Sequence, residues 1–357
     1  MRNLVTNKIE KQSVEGKALL LTLRGEVLKS PPLWLMRQAG RYLPEYREMR
    51  ASVSGFLELC YTSEKAVEVT LQPIRRFGFD GAILFADILL LPHAMGQPLA
   101  FQEGEGPKLE AIRDLGGVER LNFEQIDRHL EPVYKTVRRL SGKLPAKTTL
   151  IGFAGAPWTV ATYMVEGASS RDFVNVKGWA FSRPDEFDLL IDLLVRGTVQ
   201  YLAGQIRAGA EVIQLFDTWA GVLPEEEFRR FVIAPTKRIV EDIKSIAPNV
   251  PVIGFTRGAG VLLEAYVKET HVDAVGLDSS VSLTWAAENL QPVCTVQGNL
   301  DPVLLLSGGK PMQQAAHRIL DAFAGGPFIF NLGHGILPAT PPEHVADLVR
   351  CVRGWRA

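Results

Sequence analysis

The chain is short of cysteine, has no excess of either charge and contains no long apolar run. Each shortage removes a class of protein. Its three cysteines, Cys60, Cys294 and Cys351, are far apart with no C-x-x-C, which offers neither a disulfide framework nor a zinc knuckle. None of the six histidines lies in an H-x-x-x-H pair or two residues before a cysteine, so no metal is expected. The glycine fingerprints of nucleotide sites, G-x-G-x-x-G and G-x-x-x-x-G-K-[ST], are missing, as is the nucleophile elbow G-x-S-x-G. No flavin or nicotinamide signature is present either, and no cofactor is expected. A net charge of -1 argues against a general nucleic-acid or membrane-surface binder, so any anion site must be a local cluster. No run approaches the roughly 18 apolar residues of a membrane span. The opening "MRNLVTNKIEKQSVEGKALL" has no apolar signal core, and Glu10 and Glu15 do not suit a transit peptide. The expected setting is the reducing cytoplasm.

What the chain does have is a regular alternation. Eight short aliphatic or aromatic runs recur: 32–36, 81–85, 148–153, 212–216, 251–255, 273–277, 293–297 and 328–331. They are continuously apolar rather than alternating, as parallel strands covered on both faces are. The intervening segments carry helical periodicity. In "SRPDEFDLLIDLLVRGTVQYLAGQIRAGA", Ser182 is the expected cap, Pro184 suits the first turn, and Asp185 and Glu186 face the positive end of the helix dipole. Phe187, Leu190, Ile191, Leu194, Val195, Leu202 and Ile206 form its apolar stripe, and Gly209 its stop. A second helix opens at Pro224, and Pro235 should kink it. Eight strand–helix alternations without a composition break predict an α/β fold. The expectation is a single (β/α)8 TIM barrel over residues 1–357, with residues 1–30 as an extension outside it.

A barrel of this kind builds its site from the loops after the C-terminal ends of the strands. That rule selects Arg37, Gln38, Arg41 and, further on, Arg50, then Asp87, Tyr163, Asp217 and Thr218, Thr256 and Arg257, Asp278 and Ser279, Gly298 and Asn299, and His334. Each has a plainer reading. Arg47 and Arg50 suit a solvated helix. Asp87 suits a helix cap as well as a buried charge. Tyr163 suits a core, Asp217 and Thr218 suit turns, and Arg257 with Asp278 suits an internal ion pair. His334 stands between two glycines, a pattern that signals close backbone approach rather than packing. Several arginines with an aspartate, hydroxyls and a histidine suit a polyanionic organic substrate.

The stretches "RQAGRYLPEYR" and "GFAGAPWTVATYMVEG" carry a resemblance, supported by "LFADILLLPHAMG", "FDTWAG", "QGNLDP" and "FNLGHGILP". Spread from about residue 30 to 345, they resemble the uroporphyrinogen decarboxylase family. The resemblance implies a cofactor-free homodimeric barrel that converts the four acetates of uroporphyrinogen III to methyls, giving coproporphyrinogen III for tetrapyrrole synthesis. It implies that Arg37, Arg41 and Arg50 bind substrate carboxylates, that Gln38, Ala39 and Gly40 belong to the same substrate-binding loop, and that Arg37 is also a catalytic candidate. Asp87 would hold the pyrrole N–H groups and act in catalysis, while Tyr163, Thr218 and His334 supply the remaining polar contacts. Some members of the family have serine where this chain has Thr218. Two other readings stay open. One is a zinc-dependent methyltransferase on the same barrel, whose His-x-Cys pair this sequence lacks. The other is a tetrapyrrole carrier without catalysis.

Overall fold

The computed structural model describes residues 16–102 and 106–356. Among them are the strands β1 (Gly81–Ile83), β2 (Leu99–Gln102), β3 (Gly106–Leu109), β4 (Thr149–Gly155), β5 (Val212–Asp217), β6 (Val252–Thr256), β7 (Ala274–Gly276), β8 (Thr295–Leu300) and β9 (Phe328–Leu332). Strands β2 and β3 pair antiparallel as a separate hairpin; the other seven form one parallel sheet in the order β1-β4-β5-β6-β7-β8-β9. These seven fall on seven of the apolar runs, and their side chains are almost wholly buried. Helices cover the outer face, with Pro184–Ala208 packed between Ile126–Ser141 and Ala234–Ile246.

The first run, 32–36, differs from expectation in form. Its one ladder contact is an isolated parallel bridge between Leu33 and Phe330. Pro31 and Pro32 have no N–H to give a longer strand. Side chains take over where the ladder stops. The Leu33 N–H donates to Asp80 Oδ2 (2.8 Å), the Leu35 N–H to Gln38 Oε1 (3.2 Å) and the Met36 N–H to Asn331 Oδ1 (3.0 Å). Backbone bonds still reach both edges of the sheet. The Asp80 N–H donates to the Leu33 carbonyl at 2.9 Å, and the Phe330 N–H to the Pro32 carbonyl at 2.9 Å. The segment therefore bridges β9 to β1 and closes the ring.

Residues on the inner face form their own apolar cluster: Trp34, Met36, Ile151, Val212, Ile253, Phe255, Ala274 and Ile329. Leu19, Leu20 and Leu23 of the helix Ala18–Leu23 belong to the same cluster. Part of the segment expected outside the barrel thus packs against its interior, while residues 1–15 lie outside the described residues. A polar chain crosses this interior. Trp34 Nε1 donates to Gln297 Oε1 (2.9 Å), and Gln297 Nε2 donates to Gln214 Oε1 (3.2 Å).

The long helix runs Pro184–Ala208 with Pro184 in its first turn and Gly209 left-handed (φ 116°) at its end. Ser182 does not cap it; that residue ends the preceding helix, and its hydroxyl donates to the Gly178 carbonyl. Pro235 does not simply kink the second helix. The chain winds one wider π turn over Arg229–Ile233 before Ala234–Ile246 resumes, a device that accommodates the missing proline N–H.

Candidate active site

Arg37 follows the closing segment with φ at 59°, a left-handed conformation that costs a side-chain-bearing residue about 1 kcal/mol or more. Its aliphatic stem lies over Gly335: a Cβ there would stand 2.3 Å from Arg37 Cδ. Gly333 is equally constrained, since a Cβ would meet Ser279 Oγ at 2.3 Å. The two glycines around His334 therefore have separate purposes, one for the arginine and one for the neighbouring loop.

Gln38 is buried, and both its amide oxygen and its amide nitrogen are hydrogen-bonded. Its Oε1 accepts from the Leu35 N–H while its Nε2 donates to the Gly81 carbonyl at 3.0 Å. The Tyr42 hydroxyl donates to the Gln38 carbonyl at 2.8 Å. The Gln38 amide thus folds the loop. Ala39 and Gly40 are partly exposed beside it. Arg41 is exposed, and Arg50 sits half-buried in the last turn of the helix Pro44–Ala51. Both guanidinium groups lie near the Tyr46 phenol, which burial pushes up to about 12 against their pull. Arg47 is different: it donates to the carbonyls of Arg41 (2.9 Å) and Tyr42 (3.2 Å) and so braces the turn. Among the described residues, Arg37, Arg41 and Arg50 have no carboxylate partner.

Asp87 follows β1 and meets both of its readings at once. Its Oδ1 accepts from the Leu89 N–H at 2.8 Å, and its carbonyl accepts from the Leu90 N–H at 3.3 Å, at the start of the short helix Leu90–Ala94. The carboxyl is nonetheless held up at about 6 by burial, with the Leu89 N–H and the Arg37 charge pulling the other way. Some of its surface remains exposed. Tyr163, on the helix Pro157–Glu166, lies within electrostatic reach of both Asp87 and Arg37. Its ring is 6.3 Å from that of Trp219.

Asp217 and Thr218 separate cleanly. Asp217 Oδ1 accepts from Thr159 Oγ1 at 2.5 Å, and Thr159 Oγ1 in turn accepts from the Trp219 N–H at 3.0 Å. Asp217 is buried behind the sheet, where desolvation raises its carboxyl to about 7. Thr218, one residue on, continues the face of Val212, Gln214 and Phe216 and stays partly exposed. Trp219 was not singled out from sequence. It links the end of β5 to Tyr163 through ring contact, and its carbonyl accepts from Trp158 Nε1 at 2.9 Å. An unremarkable aromatic in "FDTWAG" gave no signal of that.

The His334 imidazole is held down at about 4, mainly by burial, then by the charges of Arg37 and Arg257, with Asp278 opposing. It is therefore neutral at neutral pH. The expected ion pair between Arg257 and Asp278 does not form. Asp278 accepts instead from the Gly258 N–H (2.7 Å), the Ser280 N–H (2.8 Å) and Ser280 Oγ (2.5 Å). Asn299 donates to the carbonyls of Asp278 and Val281 and braces the same corner. No three His, Cys, Asp or Glu side chains converge in a metal-holding arrangement among the described residues.

The mouth thus gathers unpaired guanidiniums, one accessible high-pKa carboxyl, a phenol, a hydroxyl and a neutral imidazole. Such a set can hold several carboxylates and meet a developing positive charge with Asp87. Known proteins give this arrangement a context. The family model "Uroporphyrinogen decarboxylase (URO-D)" matches residues 15–355. The chain is 59% identical over 340 residues to the uroporphyrinogen decarboxylase of Rhodospirillum rubrum, covering 95% of this chain and 98% of that one. It is 56% identical to that of Rhizorhabdus wittichii over 342 residues, again covering 95% and 98%. Among solved structures, a methyltransferase from Methanosarcina mazei superposes with a TM-score of 0.77 at 19% identity, covering 94% of this chain and 97% of that one. That likeness shows a common fold. With the family model spanning nearly all of it and relatives above half identical, the chain belongs to the uroporphyrinogen decarboxylase family.

Proposed function

We propose that the chain removes the carboxyl groups of the four acetates of uroporphyrinogen III and releases coproporphyrinogen III. The observation that carries this reading is Asp87, held at about 6 beside Arg37 in a mouth that also carries the unpaired Arg41 and Arg50. The substrate bears eight carboxylates, and guanidinium forks match that geometry. Arg37, Arg41 and Arg50 bind these groups; Gln38, Ala39 and Gly40 shape the loop that presents them; Tyr163, Thr218 and His334 supply polar contacts around the macrocycle.

The chemistry needs an electron sink. Protonation of an electron-rich pyrrole at a ring carbon turns the ring into a cation. The acetate C–C bond then breaks, its electron pair flows into the ring, and CO₂ leaves. A second proton at the exocyclic carbon and loss of the first restore the pyrrole with a methyl group. Net, each turn consumes one carboxylate and one proton and yields CO₂ and a methyl. Asp87, deprotonated above about pH 6, faces the pyrrole N–H groups and stabilises the cation as it forms. At about 4 Å and an effective dielectric near 20, that attraction is about 4 kcal/mol, roughly a thousandfold in rate. His334 is uncharged at neutral pH and serves as a hydrogen-bond partner rather than an imidazolium acid. Arg37 acts by its guanidinium charge.

We infer further that the enzyme works without a cofactor, as a cytoplasmic homodimer, following the family resemblance. No helix of the described residues is long and apolar enough to cross a membrane. Light scattering at micromolar concentration should give twice the chain mass; a monomer would reject the dimer. The activity is tested by anaerobic incubation with reduced uroporphyrinogen III, separating products by carboxylate number. Wild type should run the ladder from eight carboxylates to four, and Asp87→Asn should fall about a thousandfold while still binding. Tight binding with no product from wild type would replace the enzyme by a carrier.

A further inference from the structure

Arg257 is a charged group of the mouth whose guanidinium has no partner among the described residues. It follows β6, whose Ile253 and Phe255 line the barrel interior, so by strand alternation Arg257 continues the inward face above Phe255. Phe255 is itself 6.4 Å from the His334 ring, and the Arg257 charge reaches that imidazole together with Arg37. In sheet order β6 stands four positions from the closing segment 32–34 in either direction, which puts Arg257 across the mouth from the Arg37 loop.

Its backbone is held firmly. The Arg257 N–H donates to the Asp217 carbonyl at 3.1 Å, and its own carbonyl accepts from the Gly221 N–H at 3.0 Å. Gly221 and Gly258 are so close that a Cβ on Gly221 would stand 2.5 Å from the Gly258 carbonyl carbon. The guanidinium, in contrast, is exposed and has no hydrogen bond or ion pair to any described residue. The obvious partner, Asp278, is saturated by Gly258 and Ser280. A rigid base with an uncommitted cation, next to a carboxylate that has been given other donors, is an arrangement that keeps the guanidinium available.

We propose that Arg257 is a further substrate-binding residue, taking a peripheral carboxylate of the tetrapyrrole on the side of the mouth that Arg37, Arg41 and Arg50 do not serve. This rests on the decarboxylase reading above. A macrocycle with carboxylates all round its rim would otherwise be clamped on one side only, free to tilt away from Asp87. One charge-assisted hydrogen bond corresponds to about tenfold to a hundredfold in affinity.

The test compares wild type, Arg257→Gln and Arg257→Lys in anaerobic binding of coproporphyrinogen III and uroporphyrinogen III, with turnover measured in parallel. Arg257→Gln should keep the wild-type melting temperature and kcat within a few fold, raise Kd and KM about tenfold to a hundredfold, and flatten the salt dependence of binding. Arg257→Lys should recover part of the loss. A loss shared by product and substrate assigns the contact to a propionate, and one confined to uroporphyrinogen assigns it to an acetate. An active Arg257→Gln with unchanged Kd and KM overturns the proposal, and so does a fall in kcat with unchanged Kd. Wild type that makes no product strikes the parent reading instead, so the two failures are distinguishable.

Discussion

Asp87 gives one carboxylate oxygen to the Leu89 N–H, yet burial holds its carboxyl at about 6, well above the ordinary aspartate value. The sign of the consequence follows from proton linkage. Between the unfolded value of 3.8 and the folded value of about 6, the folded chain holds the extra proton, so stability falls as pH rises through that window. Above pH 6 the full cost is present, about 3 kcal/mol as an upper bound. In the proposed mechanism activity runs the other way, because the pyrrole cation needs the anion. Asp87→Asn keeps an oxygen for the Leu89 N–H and removes the charge. It should therefore melt at a higher temperature than wild type at pH 7.5 and at nearly the same temperature at pH 4, while losing turnover at every pH. In wild type, kcat/KM should rise toward a plateau above about pH 6. A melting temperature for Asp87→Asn below wild type at pH 7.5 would contradict the buried-charge account.

At the scale of elements, the loop after β9 and the loop after the closing segment operate as one piece, because Gly335 is the bed on which the Arg37 stem lies. Gly335→Ala puts a methyl where that stem runs. The obstacle is a flexible side chain, so the loop should fold with a stability change of about 1 kcal/mol or less, while Arg37 is pushed off its position. We expect KM to rise about tenfold or more, with Arg37→Gln adding little further to the double variant. Additive losses would mean that the two loops act separately. This coupling also marks how far the sequence was legible. The apolar runs gave seven strands because continuous burial of a parallel sheet leaves that pattern directly in the chain. The remaining run, 32–36, was apolar but not a strand, since two prolines and the side chains of Asp80, Gln38 and Asn331 replace its ladder. Strand ends located Asp87, Tyr163, Thr218 and His334 at the mouth. What stayed hidden was side-chain commitment: that Gln38 faces inward, that Arg47 braces a turn, and that two backbone N–H groups and the Ser280 hydroxyl rather than Arg257 bond Asp278. Local backbone geometry decides those, and residue types alone do not encode it. The hairpin of β2 and β3 was missed for a related reason, lying in a stretch too short and Gly-rich to carry a strand pattern.

For the whole molecule, the charge balance and the site's charge disagree, and the disagreement is functional. The chain totals -1, so at long range it does not attract an anion bearing eight carboxylates. Most of its other guanidinium groups are spent on surface pairs, such as Arg230 with Asp185 and Asp188, Arg229 with Glu225 and Glu269, and Arg238 with Asp192. Those at the mouth are not, and they lie above an interior that is apolar apart from a short chain of amides and an indole. Attraction is therefore confined to the last approach, where, on the proposed reading, it would orient the macrocycle over Asp87 instead of merely collecting it. Such a field is screened once the Debye length, about 10 Å at 0.1 M salt, shrinks to about 3 Å at 1 M. Raising salt from 0.05 to 0.5 M should lower kcat/KM by about tenfold or more while leaving kcat nearly constant, because the bound complex excludes the bulk ions that screen encounter. The dependence should weaken stepwise in Arg41→Gln and Arg50→Gln, whose charges act on binding. It should stay unchanged in Arg230→Gln, whose charge is already balanced on the surface. A salt dependence equally sensitive to Arg230 would assign the steering to the overall surface rather than to the mouth.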